Sequence, residues 1–369
     1  MTAITELDTV DIEAQRDALI ERMLNATIAT WNVAALFLGS RLGLYDALAS
    51  EGPATPGELA ARTGTAERYV REWLEQQAVS GFLHVDNPVD PAGERRYALP
   101  TAHAEVLTER ESLNYLAPLP QIVVGALSPL DRVLQAFRTG EGVGYHEYGV
   151  HLHEGRAGMN RNAFLSQLGQ EGLPAVADVH ERLIADPPAR VADIGCGHAW
   201  SSIGMARAYP KALVDGFDLD AASVEAANRH IHAAGLAGRV TISERDAADP
   251  DLSGQYDLVT AFECIHDMPD PVGVLSSMRR LASGRGAVIV MDERVRETFV
   301  PETDLVEQFM YGFSILHCLP VGMLGEQPAG TGTVMRPDTL SGYARAAGFG
   351  RVELLPIESF FFNFYRLWP

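Results

Sequence analysis

The nine residues Val191-Ala-Asp-Ile-Gly-Cys-Gly-His-Ala199 constrain this chain more than any other stretch. Residues 191–194 are a short apolar run carrying one acid, Asp193, and the run stops at two glycines one residue apart. Such a sequence predicts a buried strand that turns sharply into a helix, a geometry that brings backbone close to a nucleoside-type ligand. Gly195 and Gly197 permit the turn, and Asp193 places a carboxylate just before it. A dinucleotide fingerprint would need a third glycine at position 200, so that a pyrophosphate can approach and the helix can pack close. Trp200 stands there, so the expected ligand lacks a pyrophosphate.

Downstream, strand-like runs at 191–194, 213–217, 240–243, 258–262 and 287–291 alternate with helical stretches. This alternation predicts an α/β fold with a parallel sheet covered on both faces. Residues 351–367 read as two further strands. Phe360, Phe361, Phe362, Phe364 and Tyr365 form too continuous a run for one exposed face, so most are expected in the core.

The N-terminal part follows another period. Between about 14 and 49, Met23, Leu24, Ile28, Trp31, Ala35, Leu38 and Leu42 recur at three- and four-residue steps. The pattern predicts a helix whose apolar stripe needs a cover, and a second subunit is the natural one. Residues 56–64 and 65–80 read as two short helices joined at a glycine, followed by a hairpin from 81–85 and 96–99. That is the layout of a winged helix-turn-helix. Its second helix sets Glu67, Glu72 and Glu75 against Arg68 and Arg71, a slightly acidic face that disfavours DNA.

Residues 101–150 look mixed helical and end in a Gly- and Tyr-rich loop at 140–149, with 145–158 expected as a lid or interdomain surface. A helix at about 159–184 leads to Pro188, a natural boundary. The division expected is 1–105 for the winged-helix part, 106–188 for a helical linker and lid, and 189–369 for the sheet domain.

With 369 residues, 47% hydrophobic and 21% charged, the chain can bury two sizeable cores. Its net charge of −20 works against binding nucleic acid or an anionic membrane. A small-molecule partner is expected instead. Cys196, Cys264 and Cys318 are too scattered for a disulfide framework or a metal-ligand spacing, which fits a reducing cytoplasm. The acidic, polar N-terminus reads as lacking a targeting peptide, and the apolar run at 28–38 is too short to span a bilayer.

Further candidates follow the sheet. Asp218, at the end of the second strand and 23 residues after Gly195, is placed to accept hydrogen bonds from ribose hydroxyls, and Asp220 to cap the next helix. Glu263 and His266 follow the fourth strand, at the sheet edge where open α/β folds handle ligands. Imidazole titrates near neutral pH, so His266 suits a general base, with Glu263, Asp292 or Glu293 available to orient it. His151 and His153, two apart in a Gly-rich loop with Glu154 following, lack the further ligands a metal site requires, and no metal is expected.

The Asp-x-Gly-x-Gly string resembles the first motif of class I S-adenosylmethionine-dependent methyltransferases. The stretch His266-Asp267-Met268 resembles the His-Asp-Trp of plant-type O-methyltransferases, which also carry a winged-helix dimerisation domain. Their bacterial relatives show segments similar to His317-Cys-Leu-Pro-Val-Gly-Met323 and Gly330-Thr-Gly-Thr-Val-Met-Arg336. Two departures stand out: Ala199 replaces the third motif glycine, and Met268 replaces the Trp. The resemblance implies a Rossmann-like seven-stranded sheet closed by a reversed hairpin, a homodimer, and S-adenosylmethionine as methyl donor with S-adenosylhomocysteine as product. It implies cofactor contacts from Asp193, Gly195, Cys196, Gly197, Asp218, Leu219, Ala247 and Glu263, and from Asp246 at the adenine. His266, with Glu263, would act on a small-molecule hydroxyl. Carbon or nitrogen methylation, or a ligand-sensing regulator, are the alternatives on the same scaffold.

Overall fold

The computed structural model describes residues 11–301 and 303–369. The ten residues on which the targeting-peptide reading rests lie outside them. The chain divides into two compact units, one ending at Val124 and the other Gly125–Pro369.

In the first unit the long apolar pattern forms helix Ile12–Arg41, capped by the Asp11 carboxylate, and then helix Leu44–Glu51. The single helix expected to about residue 49 is broken because Gly43 takes a left-handed φ of 69°. Helices Pro56–Thr63 and Glu67–Val79 follow. The first opens with a Thr55/Glu58 capping box and Pro56, and it stops at left-handed Gly64. Strands β1 (His84–Val85) and β2 (Tyr97–Ala98) pair antiparallel, and Ala54 bridges to Tyr97. Leu44, Tyr45, Leu59, Leu74 and Tyr97 form the core of this winged helix-turn-helix. Trp73 joins them, its indole N–H donating to the Ala35 carbonyl at 2.9 Å. On helix Glu67–Val79, Arg68 is paired to Glu72 at 2.6 Å.

The second unit is built on a seven-stranded sheet of β3 (Arg190–Ile194), β4 (Leu213–Asp218), β5 (Val240–Glu244), β6 (Tyr256–Phe262), β7 (Ala282–Glu293), β8 (Arg351–Leu354) and β9 (Phe362–Trp368). Its order is β5-β4-β3-β6-β7-β9-β8. β3 to β7 run parallel, while β9 is antiparallel to both β7 and β8. Along β3, Val191 packs into the core on one face of the sheet and Ala192 and Ile194 into the core on the other. Burial on both faces is why these strands read as continuous apolar runs. The chain crosses from β3 to opposite sides through β4 and β6, so the β3/β6 boundary is the switch point where such sheets hold ligands.

Two expectations in this unit need correction. The helix expected from about 159 begins at Gly149, runs to Asn162, widens into a π-helical stretch Ala163–Gly172, and resumes only at Ala177–Ile184. His151 and His153 therefore sit on a helix rather than in a loop. In the aromatic tail, Phe364 and Tyr365 are buried, but Phe360 precedes β9 and is 64% exposed, its ring under the Arg294 guanidinium. Asp220 caps helix Ala221–Ala233 as expected, accepting from the Ser223 N–H.

Candidate active site

At the carboxyl end of β3 three alternate residues are left-handed: Gly195 (φ 62°), Gly197 (φ 51°) and Ala199 (φ 64°). Gly195 is required twice over, because a Cβ there would also stand 2.9 Å from the Cys264 sulfur. At Gly197 a Cβ would meet open space, so the backbone there is accessible to a ligand. The Asp218 carboxylate ties the turn to β4, accepting from the Gly197 N–H at 2.8 Å and the Asp220 N–H at 2.9 Å. Burial pushes its carboxyl above the ordinary range against those two donors.

Asp193 faces the other way. Its Oδ2 accepts from the Ser201 and Ser202 hydroxyls, both at 2.6 Å, and its Oδ1 from Thr260 at 2.8 Å. This buried carboxylate fastens the turn to the following helix and to β6, and its oxygens are already engaged. Cys196 is buried against Gly216, Leu219 is 68% exposed, and Ala247 is buried. Asp246 lies beyond β5, exposed, with its carboxylate on the Ala248 N–H at 2.8 Å.

Beyond β6 the backbone is again strained. Glu263 is a non-glycine at φ 54°, a conformation that persists only where surrounding structure enforces it. Its N–H donates to the Met291 carbonyl at 2.8 Å, its carbonyl accepts from Arg156 at 3.0 Å, and its Oε2 accepts from Asn160 at 2.8 Å. Its Oε1 is buried and has no hydrogen-bond partner among the described residues.

His266, on the turn Ile265–Asp267, is completely buried. Its Nδ1 stands 2.8 Å from Asp292 Oδ1 and 3.1 Å from Glu293 Oε2, at the end of β7. Of the three acids that sequence left open as orienting partners, Asp292 holds the ring by a hydrogen bond, Glu293 lies beside it as a charge contact only, and Glu263 is bonded to Asn160 instead. Nε2 of the ring has no partner among the described residues. Burial alone disfavours the imidazolium, yet the two carboxylates overcome it and hold His266 well above its ordinary pKa. In turn, burial pushes Glu263 and Glu293 up to about 7.

Helix Gly149–Asn162 supplies Arg156 and Asn160, which the sequence reading missed, and His153, which it weighed only as a metal ligand. Arg156 pairs with Asp267 at 3.2 Å while reaching the Glu263 carbonyl, and His153 stacks on Tyr145 with ring centroids 4.2 Å apart. The rings of Tyr145, Tyr148 and Phe313 surround His317, a buried imidazole that desolvation holds neutral. The spacing of His153, Arg156 and Asn160, three and then four residues, marked one helical face. Gly149, Gly155 and Gly158 disguised it as a loop.

A β3 glycine turn, an acid at the end of β4 and a reversed last strand pair define a methyltransferase-type α/β domain joined to a winged helix. Residues 185–324 match a methyltransferase-domain family model, and residues 32–109 match that of the Rv2258c-like winged HTH domain. The chain carries both domains. Across 98% of its length it shares the fold of human N-acetylserotonin methyltransferase in complex with SAM, covering 99% of that chain at 17% identity and a TM-score of 0.69. It is 29% identical over 170 residues to a ubiquinone biosynthesis O-methyltransferase of Ralstonia nicotianae, covering 46% of this chain and 66% of that protein. A polyketide synthase, ThaQ of Burkholderia thailandensis, matches at 34% over 103 residues, 28% of this chain and 5% of its own. The chain thus spans less than two thirds of the length of these curated relatives.

Proposed function

We propose that this protein transfers a methyl group from S-adenosylmethionine to a hydroxyl of a small-molecule acceptor. The observation that carries the reading is the buried His266, fixed at Nδ1 by Asp292 and with Nε2 unpartnered among the described residues, on the turn that follows β6, the strand next to β3. The site suits the cofactor, since Gly197 leaves open space above its backbone and the buried Oε1 of Glu263, just after β6, lacks a donor among the described residues. Gly195, Cys196, Gly197, Asp218, Leu219, Asp246, Ala247 and Glu263 would hold the cofactor, with Asp193 acting through the shape of the turn. When bound, the cofactor supplies an electrophilic methyl on a sulfonium.

The chain's own residues do the rest. Asp292 accepts a hydrogen bond from the Nδ1–H of the neutral ring and so selects the tautomer whose Nε2 can accept the hydroxyl proton. Asp292 and Glu293 then stabilise the imidazolium that forms. Arg156, paired to Asp267 and bonded to the Glu263 carbonyl, locks the strained turn between them. Helix Gly149–Asn162, within the 106–188 segment, serves as the lid that excludes water. The acceptor is an aromatic or hydroxylated metabolite, in keeping with the rings around His317.

The winged-helix unit serves assembly rather than DNA reading. Ile28 and Trp31 on helix Ile12–Arg41 are 54% and 65% exposed, apolar surface that a second copy would cover in a homodimer. Among the described residues no helix is long and apolar enough to cross a membrane, and the cytoplasm is the proposed location.

Calorimetric titration with S-adenosylmethionine and S-adenosylhomocysteine tests the reading. Saturable binding that weakens at least tenfold in Asp218→Ala supports it, while wild-type protein that binds neither sinks it.

A further inference from the structure

Two separate stretches of chain meet beside His266. One of its ring nitrogens, the Cys318 sulfur and a carboxylate oxygen of Asp267 lie within 4.8 Å of one another. They meet because the turn Ile265–Asp267 packs against helix Leu319–Gly322, and Cys318 immediately precedes that helix. Since Nδ1 is engaged by Asp292 and Glu293, the ring's open position is Nε2, which is buried without a hydrogen bond among the described residues. A buried polar atom left so calls for a ligand.

The surroundings say which. A carboxylate on one imidazole nitrogen that aims the other is the usual support behind a histidine metal ligand. Cys318 is fully buried, and His317 Nδ1 lies 3.3 Å from its sulfur, placed to hydrogen-bond a thiolate. Arg156 holds Asp267 through Oδ2, which leaves Oδ1 for a ligand. One sulfur, one imidazole nitrogen and one carboxylate form a donor set for zinc or cobalt rather than for magnesium or calcium. Bonds of about 2.0–2.3 Å in a tetrahedral site put ligand atoms roughly 3.3–3.8 Å apart, so closing on an ion takes side-chain shifts of about an ångström.

We propose that His266 Nε2, Cys318 Sγ and the Asp267 carboxylate form a binding site for a zinc-type divalent cation, with the fourth position open. Binding displaces the Cys318 thiol proton and, from the imidazolium form of the ring, the His266 Nε2 proton; both leave to solvent, and nothing is oxidised or reduced. The ion occupies the lone pair that a general base needs, so the metal-bound and base-competent forms exclude each other. That consequence rests on the base reading of His266; the binding itself does not.

The test uses the full-length, untagged protein, stripped with a chelator and titrated with Co2+ as the probe. One equivalent should produce a thiolate-to-cobalt charge-transfer band in the near ultraviolet, bleached by one equivalent of Zn2+. Cys318→Ser should lose the band and bind at least tenfold more weakly. Cys264→Ser should keep it, because that thiol is directed at the Ile194 carbonyl, 3.4 Å away. No saturable binding at one equivalent, or a band that survives in Cys318→Ser, overturns the site. Should Cys318→Ser not fold, zinc-edge X-ray absorption of the wild-type protein decides. One sulfur scatterer supports the site, while a shell of nitrogen and oxygen alone overturns it and moves the ion to the Asp292 and Glu293 side. Metal binding as expected without binding of S-adenosylmethionine would keep this site and remove the methyltransferase reading; the reverse would remove only the metal.

Discussion

Helix Ile12–Arg41 and the carboxyl ends of β6 and β7 depart from ordinary burial in opposite senses. The helix leaves Met23, Ile28 and Trp31 more than half exposed, whereas the strand ends enclose Glu263, His266, Asp292 and Glu293 with oxygens and a ring nitrogen unpaired among the described residues. Exposed apolar area is relieved by a surface as large as another chain, and unpaired buried polar atoms by something small. On the function proposed above, the first anomaly is assigned to assembly and the second to chemistry. A substitution at one should leave the other's readout unmoved.

The largest effect is expected at His266. His266→Ala should lower kcat/KM for a hydroxyl acceptor about 10²–10⁴-fold, the usual contribution of a positioned base, without changing oligomeric state. Because the two carboxylates hold its proton above the ordinary range, wild-type kcat/KM should still be rising with pH above neutrality. In Asp292→Asn that limb should move to lower pH. A pH profile unchanged by Asp292→Asn would disconnect the pair from the chemistry.

Asp193 sharpens the comparison from inside the sheet, since it is as buried as His266 but fully paired. Asp193→Ala would strand three hydroxyls that now share its charge, and a loss of about 3 kcal/mol is expected. Thermal unfolding of the sheet unit should then fall by roughly 6–12 °C. A variant that melts like the wild type but fails to bind S-adenosylmethionine would make Asp193 a ligand contact instead.

The contrast between Asp193, whose oxygens are paired, and Glu263, whose Oε1 is not, also marks what sequence could tell. Both stand at strand ends as single acids in apolar runs, and nothing local distinguishes them. The partners that decide their roles, Ser201, Ser202 and Thr260 for Asp193 and Asn160 for Glu263, come from eight to over a hundred residues away. The strands themselves were legible because burial on both faces writes continuous apolar runs, and the glycine turn because few other residues tolerate its backbone. Helix Gly149–Asn162 was hidden by its glycines, which tertiary packing overrides. The meeting of Asp267 with Cys318, 51 residues apart, follows from topology and leaves no spacing to read.

On the helix Ile12–Arg41 side, Ile28→Glu with Trp31→Glu should weaken self-association about 100-fold, as loss of central apolar anchors does. Sedimentation across a concentration series would read it. Since both side chains are already more than half exposed, melting of the dilute monomer should hardly change. A double variant that keeps the wild-type mass while unfolding earlier would show that this face is covered by the chain's own residues, and the division between assembly and chemistry would fail.

The smallest effect separates the polar cluster's charge from its shape. Burial, reinforced by Glu293, raises the Glu263 carboxyl from 4.5 to about 7, so the folded state binds its proton more tightly than the unfolded chain does. Stability is then lost as pH rises from about 4.5 to 7, and the penalty stays constant above that. Glu263→Gln removes the charge and keeps an acceptor for Asn160. The variant should match the wild type near pH 5 and melt at a higher temperature than the wild type at pH 8. A gain of equal size at both pH values would mean that repacking relieved strain at the left-handed turn. A loss at pH 8 would mean that the ionised carboxylate has a partner in solution, and its unpaired oxygen would then mark where a cation binds.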